Sequence, residues 1–193
     1  GQDWTLGTGW SIGEDKAIAT STANSISIYQ NNTVEVGKTY KVTYTVADYV
    51  EGGIYVRVGS GVNGVVRFGN GTYTEYITQA GDNKLYLTTY TTTTLSITNI
   101  SVKEVGQNWS ITGTGWSIAD GVAIKEIQAV GDLISNAQIT IGKSYKYSYT
   151  ILNIDDGVVN LFVPNTTYVS NNAAGTFTGV FKATNSGAFT LRS

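Results

Sequence analysis

The chain has no cysteine, no histidine and no methionine, and only one proline in 193 residues. Without cysteine there is no disulfide framework and no thiolate to act as nucleophile or ligand. Without histidine the usual general base and the commonest transition-metal ligand are missing, which removes Ser-His-Asp chemistry and ordinary zinc sites. Charge is scarce as well, at 13% of residues with a net charge of -2 and no basic cluster, so nothing builds the positive field that nucleic acid requires. The apolar runs are short and broken by Thr, Ser and Gly, so no stretch of about 18 to 20 apolar residues can cross a bilayer.

What is present is repetition. GQDWTLGTGWSIGEDKAI opens the chain, and GQNWSITGTGWSIADGVAI opens a second half at Gly106. VGKTYKVTYTV near Val36 returns as IGKSYKYSYTI near Ile141, and GTYTEYI at Gly71 returns as GTFTGVF at Gly175. The steps Gly1 to Gly106, Gly7 to Gly113, Val36 to Ile141 and Gly71 to Gly175 keep the offset between 104 and 106 residues. That period is too long for a solenoid unit of about 20 to 50 residues and fits two whole domains in tandem. The boundaries are 1–105 and 106–193, with no linker between them, which predicts a close and fairly fixed junction. Gly1 is the first residue of the repeat and no Met precedes it, so the sequence reads as an excised or processed portion of something longer.

Strand patterning dominates both halves. Tyr40, Val42, Tyr44 and Val46 alternate with Lys41, Thr43 and Thr45, and Tyr145, Tyr147, Tyr149 and Ile151 repeat the pattern. Ile26 with Ile28, Ile54 to Val58, Val65 to Phe68, Tyr73 to Ile77 and Leu85 to Leu87 read as further strands. Glu51-Gly52-Gly53, Gly69-Asn70-Gly71, Gly81-Asp82-Asn83 and Asp155-Asp156-Gly157 read as turns, and Thr91 to Thr94 as a solvated loop or edge strand. No window carries a capped helical stripe. The expected class is all-β, two tandem β-sandwich domains of jelly-roll form. In LSITNISVKEV the apolar parity switches between Leu95 and Ile97 on one side and Ile100 and Val102 on the other, which predicts a bulge near Thr98-Asn99.

The order W-[ST]-x-G-T-G-W-S-I, VGK-[TS]-Y, GT-[YF]-T and NISVKEVGQ resembles the carbohydrate-binding-module-like jelly-roll repeats of bacteriophage virion structural proteins. That resemblance covers nearly the whole chain. It implies a non-enzymatic decoration or fibre role at a virion surface, with other virion proteins or further copies of the chain as partners and surface glycans as an additional ligand. The alternatives are a pair of carbohydrate-binding modules or a bacterial surface adhesin. Jelly rolls of this type often hold a structural calcium, for which Glu14, Asp15 and Asp120, in the turn after GTGWSI, are the candidates; no other cofactor is expected.

The second copy stops at GAFTLRS, the counterpart of NKLYLTT, and has nothing matching TYTTTTLSITNISVKEV. Four inward apolar side chains are worth roughly 6 to 12 kcal/mol, comparable to a whole domain's stability of about 5 to 15 kcal/mol. The second domain therefore lacks its closing strand in this chain, which predicts that the strand comes from chain beyond Ser193 or from a neighbouring subunit.

Two readings attach to the repeated tryptophans. Trp10 and Trp116 either plug the end of each sandwich or form platforms for sugar rings, and retention in the same motif frame favours the first. Trp4 and Trp109 are expected in the core. Aromatics that the copies do not share are the better ligand candidates, namely Tyr29, Tyr49, Tyr55, Tyr90 and Tyr168. Catalytic residues are not expected.

Overall fold

The computed structural model describes residues 3–126, 129–163 and 168–192, the side chain of Tyr168 excepted. All regular structure among the described residues is β, and no helix is long and apolar enough to cross a membrane. The chain is all-β, two tandem sandwiches of jelly-roll type, and divides into the compact units Gly1–Val105 and Gly106–Ser193.

Unit 1 contains β1 (Trp4–Leu6), β2 (Trp10–Gly13), β3 (Lys16–Thr22), β4 (Ser27–Gln30), β5 (Thr39–Val58), β6 (Gly71–Thr78) and β7 (Leu85–Val105). β5 and β7, 20 and 21 residues long, each serve both layers of the sandwich. In one layer the first half of β5 lies between β6 and the end of β7, and β7 continues the sheet through β3 to β2. In the other, the second half of β5 pairs with the start of β7, followed by β4 and β1. Alternation sends Val42, Tyr44 and Val46 inward from the first layer and Ile28, Val56 and Leu87 inward from the second, all at most 1% exposed. Each such fully buried side chain contributes about 1.5 to 3 kcal/mol.

The segment Glu51 to Gly53 is a bend within β5 rather than the expected turn. Register shifts flank Glu51, and Asp48 and Gly52 have φ of 50° and 78°. A Cβ on Gly52 would stand 2.3 Å from the Thr92 carbonyl oxygen, so only glycine lets the strand pass from one layer to the other here. Thr91 to Thr94 is likewise part of β7 and not a loop. Thr93 is fully buried because its hydroxyl donates to the Gly53 carbonyl at 3.0 Å, which pins the two bends together. At Asn99, with φ 53°, the pairing of β7 with β5 shifts register between Thr43 and Thr45. The bulge allows Leu95 and Ile97 to be buried while Ile100 and Val102 pack against the same core.

Val65 to Phe68 does not form a strand. Only the isolated bridges Ile54 to Arg67 and Arg57 to Asn63 tie this segment to β5. The reason is a side chain: Glu75 of β6, 8% exposed, reaches across the sandwich and accepts the Val65 N–H at 2.7 Å, displacing ladder pairing.

Unit 2 contains β8 (Trp109–Gly113), β9 (Trp116–Ala119), β10 (Val122–Lys125), β11 (Gly131–Ser135), β12 (Ser144–Ile151), β13 (Val159–Phe162), β14 (Tyr168–Asn171), β15 (Gly175–Lys182) and β16 (Thr190–Arg192). Its second layer is complete, in the order β14-β13-β16-β11-β8. Its first layer is split into two separate pairs, β12 with β15 and β9 with β10. In unit 1 the end of β7 joins the corresponding pairs, whereas among the described residues of unit 2 no strand joins them.

Candidate functional site

The tryptophan of the repeated motif bonds a backbone carbonyl at the matching position in both copies. Trp10 is 6% exposed and its indole N–H donates to the Ile26 carbonyl at 3.3 Å; Trp116 makes the equivalent bond to Gly131 at 3.0 Å. The glycine before each is left-handed, with φ of 86° at Gly9 and 84° at Gly115, and a Cβ there would meet Thr22 at 2.6 Å in the first copy. Trp4 packs against the core, lining a groove with Leu85, Ile100 and Val102. Trp109 departs from the core expectation and is 37% exposed. Its edge strand is exposed throughout, and unit 2 has no counterpart of Ile100 and Val102 to cover the ring.

The acidic candidates have a local explanation. Glu14 and Asp15, with φ of 50° and 61°, form the two-residue turn between β2 and β3; Asp120 and Gly121, with φ of 49° and 77°, form the turn between β9 and β10. Tight hairpins select residues that tolerate positive φ at both central positions. Among the described residues no group of three or more Asp, Glu, His or Cys could hold a metal ion.

Three of the tyrosine candidates share one face. In the second layer of unit 1, the pairings Thr5–Tyr29–Tyr86–Arg57, Ser27–Thr88–Tyr55 and Tyr90–Gly53 run across β1, β4, β7 and β5. Their neighbours Ile28, Leu87, Val56 and Ile54 are fully buried, so strand alternation turns these rows away from the core. Tyr29 and Tyr86 are 5.4 Å apart by ring centroid, with Lys84 over Tyr29 at 4.8 Å and the Arg57 guanidinium over Tyr86 at 4.5 Å. At the other end Phe68 leans over Gly53, where a Cβ would come within 2.9 Å of its ring, and meets Tyr90 edge to face at 6.0 Å. Tyr90 and Phe68 are 45% and 60% exposed, whereas Tyr29, Tyr55 and Tyr86 are half-buried. Burial, together with the hydrogen bond to Asp82, pushes the Tyr86 hydroxyl up to about 12, so it stays a neutral donor.

The face is thus a band of five aromatic rings with cations over the two at one end and two exposed rings at the other. Such a surface can stack flat apolar sugar faces while polar groups at its margin hold hydroxyls. Tyr49 lies apart, packed on the core with its hydroxyl donating to the Gly52 carbonyl at 3.0 Å. Tyr168 lies in β14 opposite Phe162, and its side chain is outside the described part of the structure. Tyr86 and Phe68 were not expected. Parity with Leu85 and Leu87 places Tyr86 on the outward face, whereas Phe68 stands out only once Gly53 is seen to leave room for it.

The corresponding face of unit 2 is built differently. By matched register, Ile134 stands for Tyr29, Thr190 for Tyr86, Phe162 for Arg57 and Asn160 for Tyr55. Asp132 and Arg192 replace Ser27 and Thr88 and form a two-pronged ion pair with both distances 2.6 Å, the guanidinium lying 4.9 Å from the Phe162 ring centre. Arg192 holds the Asp132 carboxyl below its ordinary range.

No family model matches the chain, and no curated protein matches it. Among solved structures it is similar to one described as "CBM4 structure and function", at 16% identity and TM-score 0.36 over 51% of this chain and 76% of that one. It is also similar to the N-terminal CBM22-1-CBM22-2 tandem domain from Paenibacillus barcinonensis Xyn10C, at 10% identity and TM-score 0.38 over 99% of this chain and 85% of that one. An anti-sigma factor domain-containing protein follows at 10% identity and TM-score 0.27, over 88% and 74% of the two chains. These likenesses are too distant to carry a functional argument, and the chemistry of the faces must supply it.

Proposed function

We propose that the protein is a non-catalytic glycan-binding module whose ligand lies on the outward aromatic face of unit 1. One observation carries this reading. The two copies keep the same framework, yet the five-ring band of Tyr29, Tyr86, Tyr55, Tyr90 and Phe68 is found in unit 1, where the matched face of unit 2 carries an ion pair. A sandwich of this form evidently folds its second layer without the band, so packing alone does not account for it. The exposed pair Tyr90 and Phe68 supplies the stacking surface, and Arg57 and Lys84 supply donors at the opposite margin.

The test is calorimetric titration of the 193-residue chain with xylan, β-glucan and α-glucan hexasaccharides, repeated with Tyr90→Ala and Phe68→Ala. Removing one stacking ring should weaken binding about tenfold, or about 1.4 kcal/mol, with melting unchanged. Binding that is absent for every sugar, or indifferent to both substitutions, would sink the reading. The virion-surface role implied by the motif order stands beside it as a second proposal; the observation in its favour is that the same order of motifs is written twice along the chain.

A further inference from the structure

On the outward second-layer face of each unit an arginine stands over an aromatic ring. In unit 2 the Arg192 guanidinium lies 4.9 Å from the Phe162 ring centre, and in unit 1 that of Arg57 lies 4.5 Å from the Tyr86 ring centre. Ring and guanidinium have exchanged strands between the copies, since Asn160 opposite Arg192 and Phe162 opposite Thr190 match Tyr55 opposite Thr88 and Arg57 opposite Tyr86. The surroundings of the two arginines differ in one respect. Arg192 holds the Asp132 carboxylate through two bonds of 2.6 Å, the two-pronged geometry that a planar guanidinium favours. Among the described residues no carboxylate pairs with Arg57, and its Nε–H is buried without an acceptor. Contact with a ring face satisfies none of the N–H donors of a guanidinium.

Charge at this end of the aromatic band is unbalanced. The Lys84 ammonium lies 4.8 Å from the centre of the Tyr29 ring, and Tyr29 and Tyr86 are neighbours, so two cations stand on adjacent rings. Asp82 is the acid tied to this end, and its carboxylate is engaged: it accepts the Tyr86 hydroxyl and comes only within 3.9 Å of the Lys84 ammonium. Two cations against one carboxylate leave this end positive on a chain whose net charge is -2. The fold does not require that charge, because unit 2 builds the matched positions of Tyr29, Tyr86 and Arg57 from Ile134, Thr190 and Phe162.

We propose that the ligand of the unit 1 face is an acidic glycan, in which a uronate carboxylate is held by Arg57 and Lys84 while neighbouring sugars stack toward Tyr90 and Phe68. The proposal rests on the glycan-binding reading above and names its substrate class. Asp132 supplies the internal precedent: on the matched face of unit 2, an arginine that stands against a ring takes a carboxylate. A carboxylate bonds a guanidinium roughly twice as strongly as a neutral hydroxyl does, so an uncharged sugar leaves most of that attraction unused. Tyr86 and Tyr90 lie on the same strand, β7, and their four-residue separation spans about 13 Å at about 3.3 Å per residue. The carboxylate and the stacking ring therefore engage different sugars of one oligosaccharide.

The test is calorimetric titration of the 193-residue chain with hexasaccharides of glucuronate and of galacturonate, each against its neutral methyl ester, with the neutral xylan and glucan series run alongside. In at least one pair the acid should bind about tenfold tighter than its ester. Raising the salt from about 0.01 M to about 1 M should narrow that gap, because the Debye length falls from about 30 Å to about 3 Å. Arg57→Gln should close the gap, whereas Arg57→Lys should keep part of it, since an ammonium retains the charge but loses the planar fork. Lys84→Gln should narrow it as well and keeps the test usable if Arg57→Gln lowers the melting temperature. The inference is overturned if neither acid binds tighter than its ester, or if the gap survives both Arg57→Gln and Lys84→Gln. The glycan reading then still stands wherever the neutral series binds; if no sugar binds at all, both fall.

Discussion

Glu75 offers the sharpest test of how unit 1 holds together. Its carboxylate sits inside the sandwich, 8% exposed, and accepts the Val65 N–H at 2.7 Å and the Tyr44 hydroxyl at 3.1 Å. The Arg67 guanidinium is 3.5 Å away, close enough for charge attraction although its Nε makes no hydrogen bond. Burial and the adjacent carboxylate push the Tyr44 pKa above its ordinary value, so the phenol stays protonated and donates. Glu75→Ala strands a backbone N–H, a fully buried hydroxyl and a mostly buried cation together. Breaking a buried pair of this kind costs about 3 to 5 kcal/mol. For a unit of this size each kcal/mol lowers Tm by roughly 4 °C, which gives a drop of roughly 12 to 20 °C. Glu75→Gln keeps an acceptor for Val65 but loses the charge, and should cost only about 1 to 2 kcal/mol. Differential scanning calorimetry of both variants measures the difference directly. A loss below about 1 kcal/mol for the alanine variant, or the reverse order of the two, would show that the cluster is not what ties Val65 and Arg67 to the sandwich.

Asn99→Val forces a β-branched residue into φ 53° at the bulge and should destabilise unit 1 by about 1 to 3 kcal/mol, while Asn99→Gly should be close to neutral, both read from denaturant midpoints. Trp10→Ala should cost about 3 to 5 kcal/mol, since it empties a fully packed site and removes a bond to Ile26, and thermal melting will report it. In unit 2 the Asp132 carboxyl is held below its ordinary 3.8 by Arg192, so its contribution is present above that value and is lost as pH falls through the folded pKa. Melting of unit 2 between pH 6 and pH 2 should therefore fall more steeply in the native chain than in Asp132→Asn, and parallel curves would refute the linkage. Tyr86 runs the other way: its raised pKa favours the fold below the ordinary value of 10.0, and that contribution disappears as pH rises through about 12, which spectrophotometric titration with parallel melts can follow.

The most legible features of the sequence were those governed by period two. Tyr40, Val42, Tyr44 and Val46 were placed on one face by alternation, and all four are buried. The parity switch in LSITNISVKEV marked the bulge at Asn99, because a change of face without a bulge would have exposed two of the four apolar residues. Turn composition was less dependable. Glu51-Gly52-Gly53 has the chemistry of a turn, but the same positive φ also lets one strand change layers, and only the pairing of Gly53 with Tyr90 distinguishes the two. Val65 to Phe68 failed for another reason: its backbone is claimed by a carboxylate ten residues downstream at Glu75, a contact that no local pattern encodes. The aromatic face was half visible. Tyr29, Tyr55 and Tyr90 stand out because the second copy does not share them, but their common face follows from cross-strand register, which the individual strands do not fix.

The two differences between the copies fall on different layers, and this separates their consequences. The aromatic face belongs to the second layer, which is fully paired in unit 1 and also complete in unit 2. The other difference belongs to the first layer, where the described strands of unit 2 form two separate pairs, β12 with β15 and β9 with β10. A substitution such as Tyr90→Ala therefore removes an exposed ring without touching the strand pairing of either unit's first layer. Had both differences fallen on one layer, loss of glycan binding and loss of strand pairing could each have been a symptom of the other. Because they do not, the two can be read apart: Tyr90→Ala should weaken sugar binding while leaving hydrogen exchange in β12 and β15 unchanged, and a change in both would show a linkage that neither layer displays by itself.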